Sequence, residues 1–553
     1  MTRRMLFAAM LAICPYMGIH AQSSAVKNVA KSVFRLTTYD KNGEIKSSST
    51  GFYTGTGGEA VSTWKPFVGA VRATVTDASG RQAEVRSVIG ANELYDVCKF
   101  RVEGKMSPVR IAVATASENE KTWMVSSGSS KSAIAPLTLQ KIETFMDGYA
   151  YYVCAEEAPT DVDGSPLVNA KGEVLAMLQR SDNKLHATDV RFVNSLALDS
   201  MAIINPVLRQ TSIRLDMPKD KQQALVMLMM STERKDSLKH SQYIDDFIAQ
   251  FPNEIDGYVA KAQNYMVKGL YAQADETMQQ GLKQATDKAD AHFEYAKIIY
   301  QKMIYSTDSV YQDWSLQKAM EEVQKACSIS PQPTYRHLQA QICFSQSAFE
   351  DAYSQFMDLT RSPLRNGELF FEAAQCKTQL SAPVSEIIAL LDSAVVAASQ
   401  SATESPAPFV LAKGQVLDEA GEYRKALAEY NRYDTLMLGR ASHAFYYTRY
   451  KCEMQVKQFQ QALNDIAHAA VLNPREPTYY AELASLQLRV NMVKDAVKTA
   501  DLCISFAPEY ADAYIIKGIA LIHDNQKEQG LEALSKAEEL GDERARGLIE
   551  KYK

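Results

Sequence analysis

Residues 160–178 read "TDVDGSPLVNAKGEVLAML". Asp161, Asp163 and Gly164 form a polar start that favours a turn, and the short apolar run "PLV" follows it directly. A second turn signal, "NAKGE", separates that run from the longer apolar run "EVLAML". Two strands joined by a glycine-bearing turn are the expected structure. The two aspartates therefore lie on a loop that enters a hairpin, and loops fixed by flanking strands often carry functional side chains.

The same short-period pattern extends on both sides of this hairpin, from about residue 25 to residue 205. Brief β-branched and aromatic runs, such as "SVFRLTTY" and "YAYYVCAE", alternate with turn signals such as "DKNGE" and "TGTGGE". Many short strands at this spacing predict an all-β barrel or sandwich.

From about residue 217 to the C-terminus the apolar residues instead recur every three or four positions, which predicts helices. Three successive copies of one pattern begin at His443, Pro477 and Ala511, and Pro474 and Pro508 occupy matching positions in two of them. A regular repeat of this size predicts an array of helix pairs. Every copy has a tyrosine at position 4 and a small residue at position 20, namely Tyr446, Tyr480 and Tyr514, and Ala462, Ala496 and Gly530.

These positions resemble the tetratricopeptide repeat family, which implies a right-handed superhelix of helix pairs. Small residues let paired helices approach closely, and a proline ends the second helix. We expect about eight repeats over residues 221–553, joined to the β-rich region by a linker at 206–220. The resemblance implies a concave face that binds a peptide or a protein surface. Tyr447 and Lys451 are the candidate groove residues, whereas most repeating apolar positions are expected to be core.

Residues 25–205 resemble the trypsin-like (chymotrypsin-fold) serine proteases, which implies an all-β double barrel. That family reads Gly-x-Ser-Gly-Gly-Pro-Leu-Val at its nucleophile. Matching "PLV" to this motif places Asp163 at the nucleophilic serine and Asp161 at the earlier glycine. The segment "GEAVSTWKPFVGA" places Lys65 at the triad histidine, and "GANELYDVCKFRV" places Asp96 at the triad aspartate. The resemblance thus implies a degenerate triad of Lys65, Asp96 and Asp163.

This set lacks the groups that acyl transfer requires, which are a hydroxyl nucleophile and a base near neutral pH. After residue 21 the only histidine before residue 216 is His186, which follows the Asp163 loop instead of preceding it. A dyad of Ser165 with Lys65 is conceivable, but neighbouring carboxylates favour the charged form of a lysine and so oppose its use as a base. We therefore expect no catalytic residue, and we keep a divergent serine-type endopeptidase as the alternative.

Two arrangements are open for the triad positions if the barrel fold is kept. In the first, Lys65 lies between Asp96 and Asp163, and an ionic cluster replaces the catalytic relay. In the second, Lys65 extends to solvent and pairs with neither carboxylate. A distance above about 6 Å from the Lys65 amine to both carboxylates would exclude the cluster.

The N-terminus indicates export. A short cationic start, "MTRR", precedes the apolar segment "MLFAAMLAI", and small residues suitable for cleavage end at Ala21. We expect a signal peptide at residues 1–21 and a periplasmic mature protein. The apolar segment is too short to span a bilayer, and no later segment predicts an integral membrane span. Cys14 in "LAIC" loosely suggests a lipoprotein site, which would leave the protein attached to a membrane.

Composition narrows the function classes. Of 553 residues, 46 % are hydrophobic and 23 % are charged, as in ordinary globular proteins. The net charge is −6 with no basic run, which argues against nucleic acid as a partner. No CxxC pair occurs, so neither a zinc site nor a redox motif is indicated. We expect no metal and no cofactor.

We therefore predict an exported, non-catalytic scaffold or adaptor that combines a protease-like domain with a helical repeat array. Its partner would be a protein or peptide bound on the concave face of the repeats. Besides the divergent endopeptidase, a structural subunit of an envelope or secretion complex is a further alternative. The sequence does not indicate the oligomeric state.

Overall fold

The computed structural model describes residues 24–127, 133–181, 184–232, 237–306 and 311–553. The expected signal peptide and Cys14 lie outside the described residues. The chain divides into two compact units, Met1–Asp287 and Lys288–Lys553. Of the helices in the described ranges, none is both long and apolar enough to cross a membrane.

The first barrel of unit 1 is closed by antiparallel pairing in the order β1-β2-β3-β6-β5-β4, with β4 pairing back to β1. Alternate residues of these strands point inward, and Phe34, Leu36 and Phe100 are fully buried there. The strands are β1 Val33–Tyr39, β2 Ile45–Tyr53, β3 Glu59–Ser62, β4 Arg72–Asp77, β5 Gln82–Asn92 and β6 Val97–Val102.

The second barrel has the order β11-β8-β9-β10-β13-β12, and the pairing of β11 with β12 closes it. A short seventh strand, β7, runs parallel to β12 at its edge. The strands are β7 Arg110–Ile111, β8 Lys121–Ser126, β9 Ala133–Phe145, β10 Tyr149–Glu157, β11 Pro166–Val168, β12 Glu173–Ser181 and β13 Lys184–Asp189.

A valine-rich core lies between the two barrels. Val33 and Val61 of the first barrel pack in one cluster with Val168 and Val174 of the second. The short helices α1, Ser24–Val29, and α2, Val190–Ser195, add buried valines to the same cluster. The two barrels therefore pack against each other through a shared apolar core.

The first helices of the helical region belong to unit 1. Met227 and Phe247 are fully buried in the same cluster as the core residues of the first barrel. Residues 206–220 run along this barrel, where Leu215 bridges Val88 and Asp216 pairs with Arg101. The helices of this unit are α3 Lys221–Thr232, α4 Ser237–Gln250, α5 Ile255–Val267 and α6 Tyr271–Gln284.

Unit 2 consists of antiparallel helix pairs. α15, α17 and α19 begin at the three repeat starts, His443, Pro477 and Ala511, and each packs on the helix that follows it. The helices are α7 Lys288–Tyr305, α8 Leu316–Ile329, α9 Pro333–Ser345, α10 Phe349–Leu359, α11 Gly367–Gln379, α12 Val384–Ser399, α13 Ala407–Glu419, α14 Tyr423–Met437, α15 His443–Gln455, α16 Phe459–Leu472, α17 Pro477–Arg489, α18 Val493–Phe506, α19 Ala511–His523, α20 Lys527–Glu539 and α21 Glu543–Tyr552.

Close approach explains the small residues in these pairs. A Cβ on Gly518 would lie 2.7 Å from the Leu534 side chain, and one on Gly414 would lie 2.7 Å from the Tyr430 ring. A larger residue at either position would separate the paired helices. The fold class predicted from the sequence, a double β-barrel followed by a helical region, is confirmed.

Candidate functional site

Asp163 lies on the loop between β10 and β11, where the two barrels meet. Its main chain is tied to the first barrel, because the Thr50 N–H donates to the Asp163 carbonyl oxygen at 2.9 Å. Its side chain is tied to the second barrel, because the Arg180 N–H donates to Asp163 Oδ1 at 2.8 Å. A hydrogen bond to a charged group of this kind contributes about 1.5–3 kcal/mol. The carboxylate of Asp163 is therefore a structural acceptor, whereas Asp161 is exposed.

Gly164 has no allowed replacement in this loop. Its φ is +85°, and a Cβ there would lie 1.9 Å from the Thr50 carbonyl oxygen. The next residue, Ser165, is fully buried, and its hydroxyl has no hydrogen-bond partner among the described residues. A buried hydroxyl with no base beside it is not an activated nucleophile.

Asp96 organises the turn that carries Lys65. Asp96 Oδ1 accepts hydrogen bonds from the backbone N–H groups of Trp64, at 3.0 Å, and Lys65, at 2.8 Å. Asp96 has a left-handed backbone with φ 47°. The Lys65 ammonium is 3.5 Å from Asp96 Oδ2, and the lysine side chain is 81 % exposed. At this exposure the ion pair contributes at most about 1 kcal/mol.

The structure thus joins Lys65 to Asp96 but does not join either to the Asp163 carboxylate. Within the described residues, the salt bridge of Lys65 is to Asp96 alone, and Asp163 is engaged by Arg180. Of the ionic cluster expected among Lys65, Asp96 and Asp163, the pair of Lys65 with Asp96 is therefore present. Lys65 also extends largely into solvent, as the second arrangement expects, so the observed geometry matches neither arrangement in full.

Gln179 is a residue of this site that the sequence interpretation missed. Its side-chain Nε2 donates to the carbonyl oxygens of Tyr95, at 2.6 Å, and Asp96, at 3.2 Å. It therefore links β12 of the second barrel to the Asp96 turn of the first. The sequence did contain a signal for this role, because Gln179 directly follows the apolar run "EVLAML". A polar side chain next to a buried strand usually forms hydrogen bonds within the protein.

The other residues that could serve as base or nucleophile are held in structural roles. His186 lies on β13, and its ring stacks on Tyr151 with 5.5 Å between ring centroids. Cys98 on β6 is fully buried, and burial, followed by the Asp96 charge, raises the pKa of its thiol well above the ordinary value. A thiol with a raised pKa is a poor nucleophile at neutral pH.

A small polar cavity of about 50 Å³ opens beside the Asp163 loop. Arg35, Asp161 and Asp163 line it, and the remaining lining residues all carry hydroxyl groups, namely Ser48, Ser49, Thr50, Ser127 and Thr160. It is too small for a peptide side chain larger than a few atoms. In the described part of the chain, no group of three or more His, Cys, Asp or Glu side chains is placed to hold a metal ion.

The candidate groove residues lie on α15 in unit 2. Tyr447 is half-buried, with its ring centroid 5.0 Å from that of Tyr479 on α17 and 5.8 Å from that of Tyr450. The Lys451 ammonium lies 5.0 Å from the Tyr447 ring centroid. Burial, followed by the Glu482 charge, raises the pKa of the Tyr447 phenol. Tyr450 and Tyr479 are buried, so the partly exposed ring here is that of Tyr447, and the exposed Lys451 lies beside it.

The chain is similar to known proteins in structure but has no match among protein families or curated sequences. The active form of the Rv3671c protease from M. tuberculosis matches at 14 % identity with a TM-score of 0.28, covering 31 % of this chain and 82 % of that one. The serine endoprotease from Yersinia pestis matches at 14 % identity with a TM-score of 0.28, covering 34 % of this chain and 65 % of that one.

Proposed function

We propose that this protein is an exported, non-catalytic scaffold, in which a protease-like double barrel is joined to tetratricopeptide-like helix pairs that bind a protein or peptide. The degenerate triad is Lys65, Asp96 and Asp163. The observation that carries the proposal is the hydrogen bond from the Arg180 N–H to the Asp163 carboxylate. A side chain so engaged supports the loop and has no nucleophilic hydroxyl to offer.

The electrostatics of the site support the same conclusion. A lysine acts as a general base only when its amine is neutral and within hydrogen-bond reach of the nucleophile. Lys65 is paired with Asp96, and its side chain is largely in solvent, whereas Ser165 Oγ is buried and has no hydrogen-bond partner among the described residues. Asp96 uses Oδ1 to hold the backbone of residues 64 and 65. All three positions therefore act in local structure.

The binding surface is proposed at α15 and α17. The half-buried Tyr447 supplies apolar contact area at a low cost in side-chain entropy, and Lys451 supplies a positive charge beside it. A peptide with an apolar side chain and a neighbouring carboxylate fits this combination.

The absence of peptidase activity is tested with the purified full-length mature chain and a set of fluorogenic peptides. We expect no turnover above buffer from the natural chain or from Asp163→Ala. The double variant Lys65→His with Asp163→Ser supplies the missing imidazole and hydroxyl, and any turnover it gains supports the placement of the triad. Cleavage by the natural chain that disappears in Asp163→Ala would overturn the scaffold proposal.

The binding role is tested by affinity capture from envelope extract, followed by binding of the captured partner to purified chains. We expect Tyr447→Ala with Lys451→Ala to weaken that partner's binding by about tenfold or more, because contact area and charge are both lost. Lys498→Ala is the matched control, since Lys498 is 79 % exposed on α18. A partner that binds both variants equally well is not held by this surface.

A further inference from the structure

A second pocket, of about 140 Å³, lies in unit 1 between the segment that follows the second barrel and helices α3 and α4. Its apolar wall is formed by side chains that are all buried, namely Ile203, Leu208, Ile213, Leu215 and Tyr243. Tyr243 is fixed in place, because its hydroxyl accepts a hydrogen bond from the Leu215 N–H at 3.3 Å. The pocket is therefore bounded by packed secondary structure.

Three cationic side chains line another part of this pocket, beside the polar residues Thr211, Ser231 and His240. Arg209, Arg214 and Lys239 line it, and no carboxylate does so among the described residues. Arg214 pairs with Asp246 at 3.0 Å, but Asp246 is shared with Arg86 at 2.9 Å. Within the described residues, the Arg209 guanidinium makes neither a hydrogen bond nor an ion pair. One carboxylate thus serves two arginines, and the charge of Arg209 remains uncompensated at the opening.

Ser231 and His240 also line the pocket, but they do not form a hydrolytic dyad. Ser231 Oγ lies 2.6 Å from the Leu228 carbonyl oxygen and 2.7 Å from His240 Nδ1. The single hydroxyl proton goes to the carbonyl, which cannot donate, so His240 Nδ1–H donates to the hydroxyl oxygen. A serine whose proton is held by a backbone carbonyl is not activated by the imidazole. This geometry suits binding and not bond cleavage.

We propose that this pocket binds a monocarboxylate whose apolar tail has about five carbon atoms, as in hexanoate. A cavity of about 150 Å³ holds a benzene-sized molecule, which sets the size of the tail. The tail fills the space beside Ile213 and Leu215, and the carboxylate meets Arg209 at the exposed end. A free short-chain acid and the C-terminal leucine of a peptide offer this same chemistry.

The proposal is tested by isothermal titration calorimetry on the full-length mature chain, with hexanoate as the probe and hexanamide as its uncharged match. At the usual binding energy per atom we expect a dissociation constant of about 1 mM or below for hexanoate. Hexanamide should bind at least about tenfold more weakly, since a charge-assisted hydrogen bond is lost. Acetyl-alanyl-leucine and its C-terminal amide are compared in the same way. If hexanoate binds more tightly than acetyl-alanyl-leucine, the ligand is a free short-chain acid, and the reverse order indicates a peptide C-terminus.

Two variants localise the site. Arg209→Gln should weaken hexanoate binding by about tenfold, whereas Arg110→Gln, which removes an exposed arginine on the second barrel, should leave it unchanged. Ile213→Phe fills the pocket and should abolish binding, with a circular dichroism melt to establish that the variant is folded. Equal binding of hexanoate and hexanamide, no binding of any probe up to about 20 mM, or unchanged binding by Arg209→Gln overturns the proposal.

Discussion

Glu453 on α15 is a buried carboxyl group with one oxygen that lacks a hydrogen-bond partner among the described residues, and Glu453→Gln tests how its burial affects the free energy of unfolding. The side chain is 5 % exposed, and its Oε2 has no hydrogen-bond partner among the described residues. Arg449 is near, but its guanidinium donates to Asp465 at 2.6 Å and 2.9 Å and pairs with Asp434 at 2.9 Å. Burial, followed by the Asp465 charge, raises the pKa of Glu453 from 4.5 to about 8, with Arg449 opposing this.

The sign follows from proton linkage. The folded chain keeps Glu453 protonated up to about pH 8, whereas the unfolded chain releases that proton near pH 4.5. Folding therefore takes up a proton between these values, and the free energy of unfolding falls as the pH rises through that window. At 1.36 kcal/mol per pH unit the full loss is about 5 kcal/mol. Glutamine has nearly the same shape as glutamate but no ionisable proton, so the free energy of unfolding of the variant should not fall with pH for this reason.

The assay is urea unfolding of the full-length mature chain, followed by circular dichroism at 222 nm across the pH range 4 to 9. Below pH 4.5 we expect Glu453→Gln to be neutral or slightly destabilising. Its advantage over the natural chain should grow with pH to at least about 2 kcal/mol near pH 9. Glu532→Gln is the control, because Glu532 is an exposed carboxylate on α20. A stability difference between Glu453→Gln and the natural chain that stays constant with pH refutes the reasoning.

Further substitutions test the barrels by urea unfolding. Gly164→Ala should cost at least about 3 kcal/mol, because a Cβ would meet a backbone oxygen at 1.9 Å in a left-handed residue. Asp96→Ala should cost about 1–3 kcal/mol, since two backbone N–H groups lose their acceptor, whereas Lys65→Ala should cost less than about 1 kcal/mol. Phe247→Ala should cost about 3–5 kcal/mol and destabilise the first barrel as well as α4, because Phe247 shares that barrel's core; an effect confined to helix signals would contradict this.

The fold class was predictable because its signals are local. Strands of the barrels alternate buried and exposed side chains, and the helix pairs recur at a regular interval, so short windows of sequence suffice. Gly518 and Gly414 are further local signals, since each marks a close approach to a partner residue at a fixed offset.

The candidate site was less predictable because its contacts are long-range. The hydrogen bonds from the Thr50 N–H to the Asp163 carbonyl oxygen and from Gln179 to the Asp96 turn depend on how the two barrels meet. No property of Asp163 in the sequence distinguishes an ionic partner for Lys65 from an acceptor of a backbone N–H. The packing of Phe247 on the first barrel was unpredictable for a similar reason. The apolar face of a helix indicates that the helix packs against something, but it does not identify the partner.

The barrels have a structural use that does not depend on catalysis. Met227 and Phe247 complete their burial in the core of the first barrel, and Leu215 and Asp216 attach the preceding segment to β5 and β6. The first helices would therefore expose a large apolar face if the barrel were absent, and such faces promote aggregation. Asp96, Asp163 and Gln179 fix the loops where the two barrels meet, and these contacts help to hold the first barrel in the form on which α3 and α4 pack.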